Sequence, residues 1–136
     1  MNPVKTIRSD RFGLLRPGME AHTLGINSVG QLLEQCGITA IIADARICSA
    51  IDQPHLPASV SVVEQWLRLH RITMLGFSYR LDPRQGADLF ARWVHLFKQR
   101  KLLKEQGGPL RGLFFAGLPE TCNLVCRLVP EGSGVF

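Results

Sequence analysis

Ile72-Thr73-Met74-Leu75-Gly76-Phe77-Ser78 is a short run of mostly apolar, partly β-branched residues, and Asp82-Pro83 follows shortly after it. A run of this length with no polar face reads as a strand buried on both sides. Asp82 then stands where an N-cap belongs and Pro83 at the first helical position, where a missing N–H costs nothing. Beyond them Leu89, Trp93, Leu96, Phe97 and Arg100 recur at helical spacing until Gly107-Gly108-Pro109. A two-sided apolar strand leading into an amphipathic helix is the building unit of a parallel sheet with helices on its faces.

The unit repeats in both directions. Downstream, residues 110–115 read as a strand and residues 119–128 as a helix. Upstream, residues 59–70 read as a helix opened by Ser59, with Val62, Val63, Trp66, Leu67 and Leu69 on its apolar side. Residues 45–58, punctuated by Pro54 and Pro57, read as a loop, and residues 38–43 as a strand ended by Asp44. Residues 26–36 form a helix closed by Gly37, and Phe12-Gly13-Leu14-Leu15 a first strand closed by Arg16-Pro17-Gly18. With right-handed crossovers this order gives an α/β fold, a doubly wound parallel sheet in a flavodoxin-like (Rossmann-type) three-layer sandwich. The expected strand order is 2-1-3-4 with a fifth strand outside, and Gly134-Val135-Phe136 reads as the truncated beginning of that strand. Leu14, Ile41, Leu75 and Phe114 are expected in central, buried positions. The short fifth strand predicts an exposed sheet edge, or one covered by a second copy in a homodimer.

The 136 residues suit one domain, 1–136, and the truncated reading of the last strand carries the expectation of a fragment of a longer chain. Apolar residues make up 46% and charged residues 20%, as in ordinary globular proteins. No run approaches a membrane span and the N-terminus has no signal-peptide core, so a cytoplasmic protein without membrane partners is expected. Much of the net charge of +5 falls in Lys98, Arg100, Lys101 and Lys104 near a helix end, where cations complement the helix dipole. No basic stripe interleaves with aromatics, so nucleic acid is not an expected partner. Cys36, Cys48, Cys122 and Cys126 follow neither a disulfide nor a zinc spacing.

In a doubly wound sheet the ligand crevice lies at the carboxyl ends of the strands, where strand order reverses. Three loops meet there: Gly18-Met19-Glu20-Ala21-His22-Thr23-Leu24-Gly25 after strand one, Gly76-Phe77-Ser78-Tyr79-Arg80-Leu81 after strand three, and Phe115-Ala116-Gly117-Leu118-Pro119 after strand four. Glu20, two residues before His22, can accept a hydrogen bond from one ring nitrogen and leave the other as a basic lone pair for a metal. Gly25 would let a bulky ligand approach the backbone. His55, His70 and His95 read as solvated or helix-end residues, and Trp66 and Trp93 as core.

The first loop resembles the cobalamin-binding domains of methylmalonyl-CoA mutase, glutamate mutase and methionine synthase. Their pattern is Asp-x-His-x-x-Gly after the first strand, Ser-x-Leu after the third and Gly-Gly after the fourth. Here Glu20, His22 and Gly25 stand for the first, Ser78 and Leu81 for the second with leucine one place late, and Ala116-Gly117 for the third. The resemblance implies adenosylcobalamin or methylcobalamin as cofactor, with His22 as the lower cobalt ligand in place of the cofactor's own base. It implies a nucleotide tail lying past Ser78, Ala116 and Gly117, with Thr23, Leu24, Arg80 and Leu81 beside it. A module of this kind is not catalytic alone and serves a catalytic domain or subunit of a mutase or methyltransferase. The alternatives are a cobalamin-type fold kept for protein contacts, or a response-regulator-like domain. The latter needs an acidic pair after strand one and an aspartate after strand three, where this chain has Glu20 and Ser78.

Overall fold

A computed structural model describes residues 5–19, 24–130, 132, 134 and 135. Five parallel strands form one sheet: β1 (Arg11–Leu15), β2 (Thr39–Ile42), β3 (Met74–Tyr79), β4 (Gly112–Gly117) and β5 (Gly134–Val135). Their order is β2-β1-β3-β4-β5, the flavodoxin-like order expected from the sequence. The helices are α1 (Leu24–Gln35), α2 (Ala45–Ile51), α3 (Pro57–Leu69), α4 (Pro83–Gln99) and α5 (Pro119–Leu128).

The two faces of the sheet are covered unequally. On one face Leu15, Leu75, Phe77, Tyr79, Leu113 and Phe115 pack with α2 to α5 into the main core, centred on Trp66, Phe90, Trp93 and Phe97. Trp93 anchors α4 by donating its indole N–H to the Ile51 carbonyl at 2.9 Å. On the other face only Phe12, Leu14, Ile26 and Met74 form a buried cluster, under α1. Helix α1 lies over β2 and β1. Among the described residues no helix covers the β3–β4 half of that face.

Four readings of the sequence change. Residues 45–51, expected as loop, are the helix α2, capped by Asp44, whose carboxylate accepts from the Ile47 amide. Proline punctuation at 54 and 57 concealed a short helix whose Ile47, Cys48 and Ile51 are buried. Helix α3 starts at Pro57, after Leu56, and Ser59 is buried inside its first turn instead of capping it. Helix α4 ends at Gln99, well before Gly107; Leu103 then bridges Leu110 and a 3-10 turn, Lys104–Gln106, fills the interval. Leu14 and Leu75 are buried, but Ile41 and Phe114 are only half-buried. Ile41 lies on the edge strand and Phe114 points to the thinly covered face, so their apolar runs are not buried on both sides. The start of a fifth strand is present as β5, paired in parallel with β4.

Candidate functional site

Strand order reverses between β1 and β3, since the chain leaves β1 toward β2 and returns on its other side to β3. The carboxyl ends of β1, β3 and β4 therefore border one crevice. The register puts Leu14 beside Gly76 and Ser78 beside Ala116. A Cβ on Gly76 would lie 2.9 Å from the Leu14 side chain, which sets Gly76 on the α1 face. Strand alternation puts Ser78 on the same face, and Ala116 joins it from β4 on the side of Phe114. All three are half-buried. The result is a strip of small residues, Gly76, Ser78 and Ala116, on the part of the sheet that no described helix covers.

Gly117 belongs elsewhere. A Cβ there would meet the Tyr79 carbonyl oxygen at 2.5 Å and the Phe115 ring at 2.7 Å. Its lack of a side chain is consumed by strand packing on the main-core face. Gly25 is exposed in the first turn of α1, and among the described residues nothing lies where its side chain would be, so none of them requires glycine there. Arg80 and Leu81 are exposed just past β3. Glu20, His22 and Thr23 lie outside the described residues, as does the side chain of Leu24.

Large apolar side chains stand exposed past the carboxyl ends of the strands. Met19 after β1, Leu81 after β3 and Leu118 after β4 are 55%, 40% and 40% exposed. The start of the first loop is held from below: the Gly18 amide donates to the Cys48 carbonyl at 2.9 Å. The Asp52 carboxylate, just past the end of α2, lies beside the amides of Met19 and Gly18, which favour its charged form. Burial raises the pKa of Asp52, against the opposing pull of those amides and Arg16. Residues 45–51 gave no sign of this role while they read as loop.

On the main-core side of the sheet a hollow of about 420 Å³ lies between Met19, Asp52, Tyr79, Gln85, Asp88 and Arg92, so Met19 opens on this hollow. The Tyr79 hydroxyl donates to the Gln85 side-chain oxygen at 3.3 Å. A further groove, about 580 Å³, runs between Ile41, Ile42, Trp66 and Leu69 at the β2 edge and shares no residue with the crevice. Among the described residues no three His, Cys, Asp or Glu side chains gather to hold a metal. His55 and His95 are exposed, and His70 caps α3 with its carbonyl accepting from Arg11 Nε at 2.7 Å. Cys48 and Cys122 are buried, Cys36 and Cys126 exposed, and all are free thiols.

No protein-family model matches the chain, and no curated protein matches it in sequence. Its structure is similar to that of a pilus assembly-related protein of Burkholderia pseudomallei, at a TM-score of 0.53 and 9% identity. The match covers 98% of this chain and 81% of that one. The fold is a flavodoxin-like α/β sandwich. At so low an identity the likeness shows the fold alone. Among the described residues no helix is long and apolar enough to cross a membrane.

Proposed function

We propose that the chain is a cobalamin-binding module serving a mutase or methyltransferase domain or subunit, with His22 as the lower cobalt ligand. The observation that carries this reading is the strip Gly76, Ser78 and Ala116 beside the strand-order reversal. A flat heteroaromatic tail needs a slot lined by small groups with one hydrogen-bonding side chain, and the strip offers that chemistry. The exposed Leu81 and Leu118, past the ends of β3 and β4, offer apolar surface to the broad, largely apolar face of a corrin ring.

In this reading His22 supplies a neutral imidazole, a good donor to cobalt, and Glu20 holds its far nitrogen. The Cys48 carbonyl, accepting from the Gly18 amide, steadies the start of the loop that carries both. Arg80 is within the same loop cluster and would meet the phosphate of the tail. Bound cobalamin would supply a cobalt centre that exchanges an organic upper ligand; the chain's own residues bind it and exclude its base.

Reconstitution with hydroxocobalamin, followed by electron paramagnetic resonance of the Co(II) form, tests the reading. With the cofactor's own base isotopically labelled, the native chain should show coupling to protein imidazole, and His22→Ala should lose it. Glu20→Gln should keep the ligation but weaken binding by about 10- to 100-fold. Ala116→Leu should weaken cobalamin and leave cobinamide, which has no nucleotide tail, unaffected. Gly117→Leu is no test, because the added side chain would strike the Tyr79 backbone whether or not a tail lies nearby. A native complex with the cofactor's base still on cobalt would remove His22 from the role, and absence of binding would remove the reading altogether.

A further inference from the structure

The charges of this chain are sorted by end. In a parallel sheet with right-handed crossovers every helix runs against the strands, so helix C-termini gather at the amino ends of the strands. Arg16, Arg46, Arg80, Arg84 and Arg92 lie on the crevice half; every other Lys and Arg of the sixteen lies toward the opposite end. The described acidic residues there are Asp10, Glu34, Glu64 and Glu105. Asp10 is taken by Arg111, and Glu64 by Arg68 and Arg100. Arg8, Arg71, Lys101, Lys104 and Arg127 are exposed and make no ion pair among the described residues.

Two of these cations stand where glycine is the easier choice. Helices α1, α3 and α4 close with the same turn, in which the second residue past the cap returns its amide to the helix: Ile38 to Leu33, Ile72 to Leu67 and Leu102 to Phe97, at 3.0 Å or less. The turn needs one left-handed residue. After α1 it is Gly37, with φ of 77°, but after α3 and α4 it is Arg71 at 53° and Lys101 at 56°. A side chain in that conformation costs free energy that glycine avoids. Helix-dipole complementarity offsets part of that cost but does not require the charge at this strained residue, since neighbouring positions would serve.

Large apolar side chains protrude singly from the same end. Leu69, the last residue of α3, is 77% exposed, and Ile7 and Leu128 are 49% and 43% exposed. Among the described residues no Phe, Tyr or Trp side chain is exposed to serve as a stacking platform for bases.

We propose that this end of the molecule is a docking surface for an anionic lipid bilayer. These exposed cations would sit at the headgroup phosphates, with Leu69, Ile7 and Leu128 entering the interfacial layer. Isolated leucines among cations suit a fluid interface, whereas an acidic protein surface is read by a contiguous patch. Bound this way, the protein would lie on the membrane without crossing it, with the crevice turned toward solvent. The inference does not depend on the identity of the cofactor.

Co-flotation of the whole chain with phosphatidylcholine vesicles, with and without phosphatidylglycerol, provides the test. Binding should require phosphatidylglycerol and should fall as salt rises. Each cation near an anionic surface is worth about fivefold in affinity, so Arg71→Gly with Lys101→Gly should weaken binding by about 25-fold. Because glycine relaxes both turns, that double variant should melt no lower than the native protein, which separates lost contact from lost fold. Leu69→Ser should weaken binding without removing its salt dependence, and Arg84→Glu, at the other end, should leave it unchanged. The proposal is overturned if phosphatidylglycerol vesicles do not bind at low salt, or if the glycine pair binds as well as native. It is also overturned if duplex DNA or polyglutamate binds more tightly than the vesicles.

Discussion

Asp10 is 2% exposed, and its carboxylate is fully used. It accepts from the Ile7 amide and the Thr73 hydroxyl, each at 2.8 Å, and from both Nε and a terminal nitrogen of Arg111. Thr73 in turn accepts from the Arg11 amide at 3.0 Å, so one carboxylate ties together the starts of β1, β3 and β4. Burial opposes its charge, but the hydrogen bonds from Arg111, Ile7 and Thr73 outweigh it and hold its pKa below the ordinary value of 3.8. A depressed folded-state pKa stabilises the fold above the unfolded value, and that contribution is lost as pH falls below 3.8 through the folded pKa. Arg111→Ala would strand a buried carboxylate and should cost about 3 kcal/mol. Asp10→Asn should cost less and flatten the acid limb of the stability profile; thermal melts across that range check both. Asp52 has the opposite sign. Its raised pKa means that the ionised form is a burden in the fold, so Asp52→Asn should melt no lower than native at neutral pH.

At the scale of elements, α2 and the β2 edge are the informative cases. Ile51 is fully buried and its carbonyl holds Trp93, so α2 is part of the core, not a decorated loop. Ile51→Ala should therefore destabilise by about 2–4 kcal/mol, measurable by urea unfolding; a surface loop would give almost nothing. Strand β2 is an edge strand whose outward Ala40 amide is taken by the Glu34 carboxylate at 3.0 Å. A charged side chain occupying an edge amide discourages another strand from pairing there. Glu34→Ala should raise self-association, seen as a concentration-dependent mass in light scattering. An unchanged mass at high concentration would mean that the edge is guarded by its shortness alone.

At the scale of the whole molecule, the two ends carry different chemistry and the two sheet faces carry different cover. The crevice sits at the carboxyl end, on the open β3–β4 half of the α1 face, and the cations gather at the other end. A ligand that binds the folded state alone stabilises it by mass action. If the crevice takes cobalamin, a concentration a hundred times its Kd should stabilise the chain by about 2.7 kcal/mol, read as a rise in the melting temperature. Ala116→Leu should abolish the tail's share of that rise but not the stability of the free protein, because Ala116 is half-buried at an open face.

The α/β alternation, the sheet order and the helix from Pro83 were legible in the residues, because apolar period and capping chemistry are local properties of the chain. The run from Ile72 to Ser78 with Asp82-Pro83 behind it could form little else. Helix α2 was not legible: seven residues hold less than two full periods, and Pro54 and Pro57 beyond it read as loop. That Ile41 and Phe114 are half-exposed, and that Gly117 serves Tyr79 and Phe115 while Ser78 and Ala116 face the crevice, was decided only by the tertiary structure. The physical reason is that a strand apolar on both sides carries no local signal for which side the helices will cover. Only the packed helices determine which face is core, which is open, and which end collects the charge.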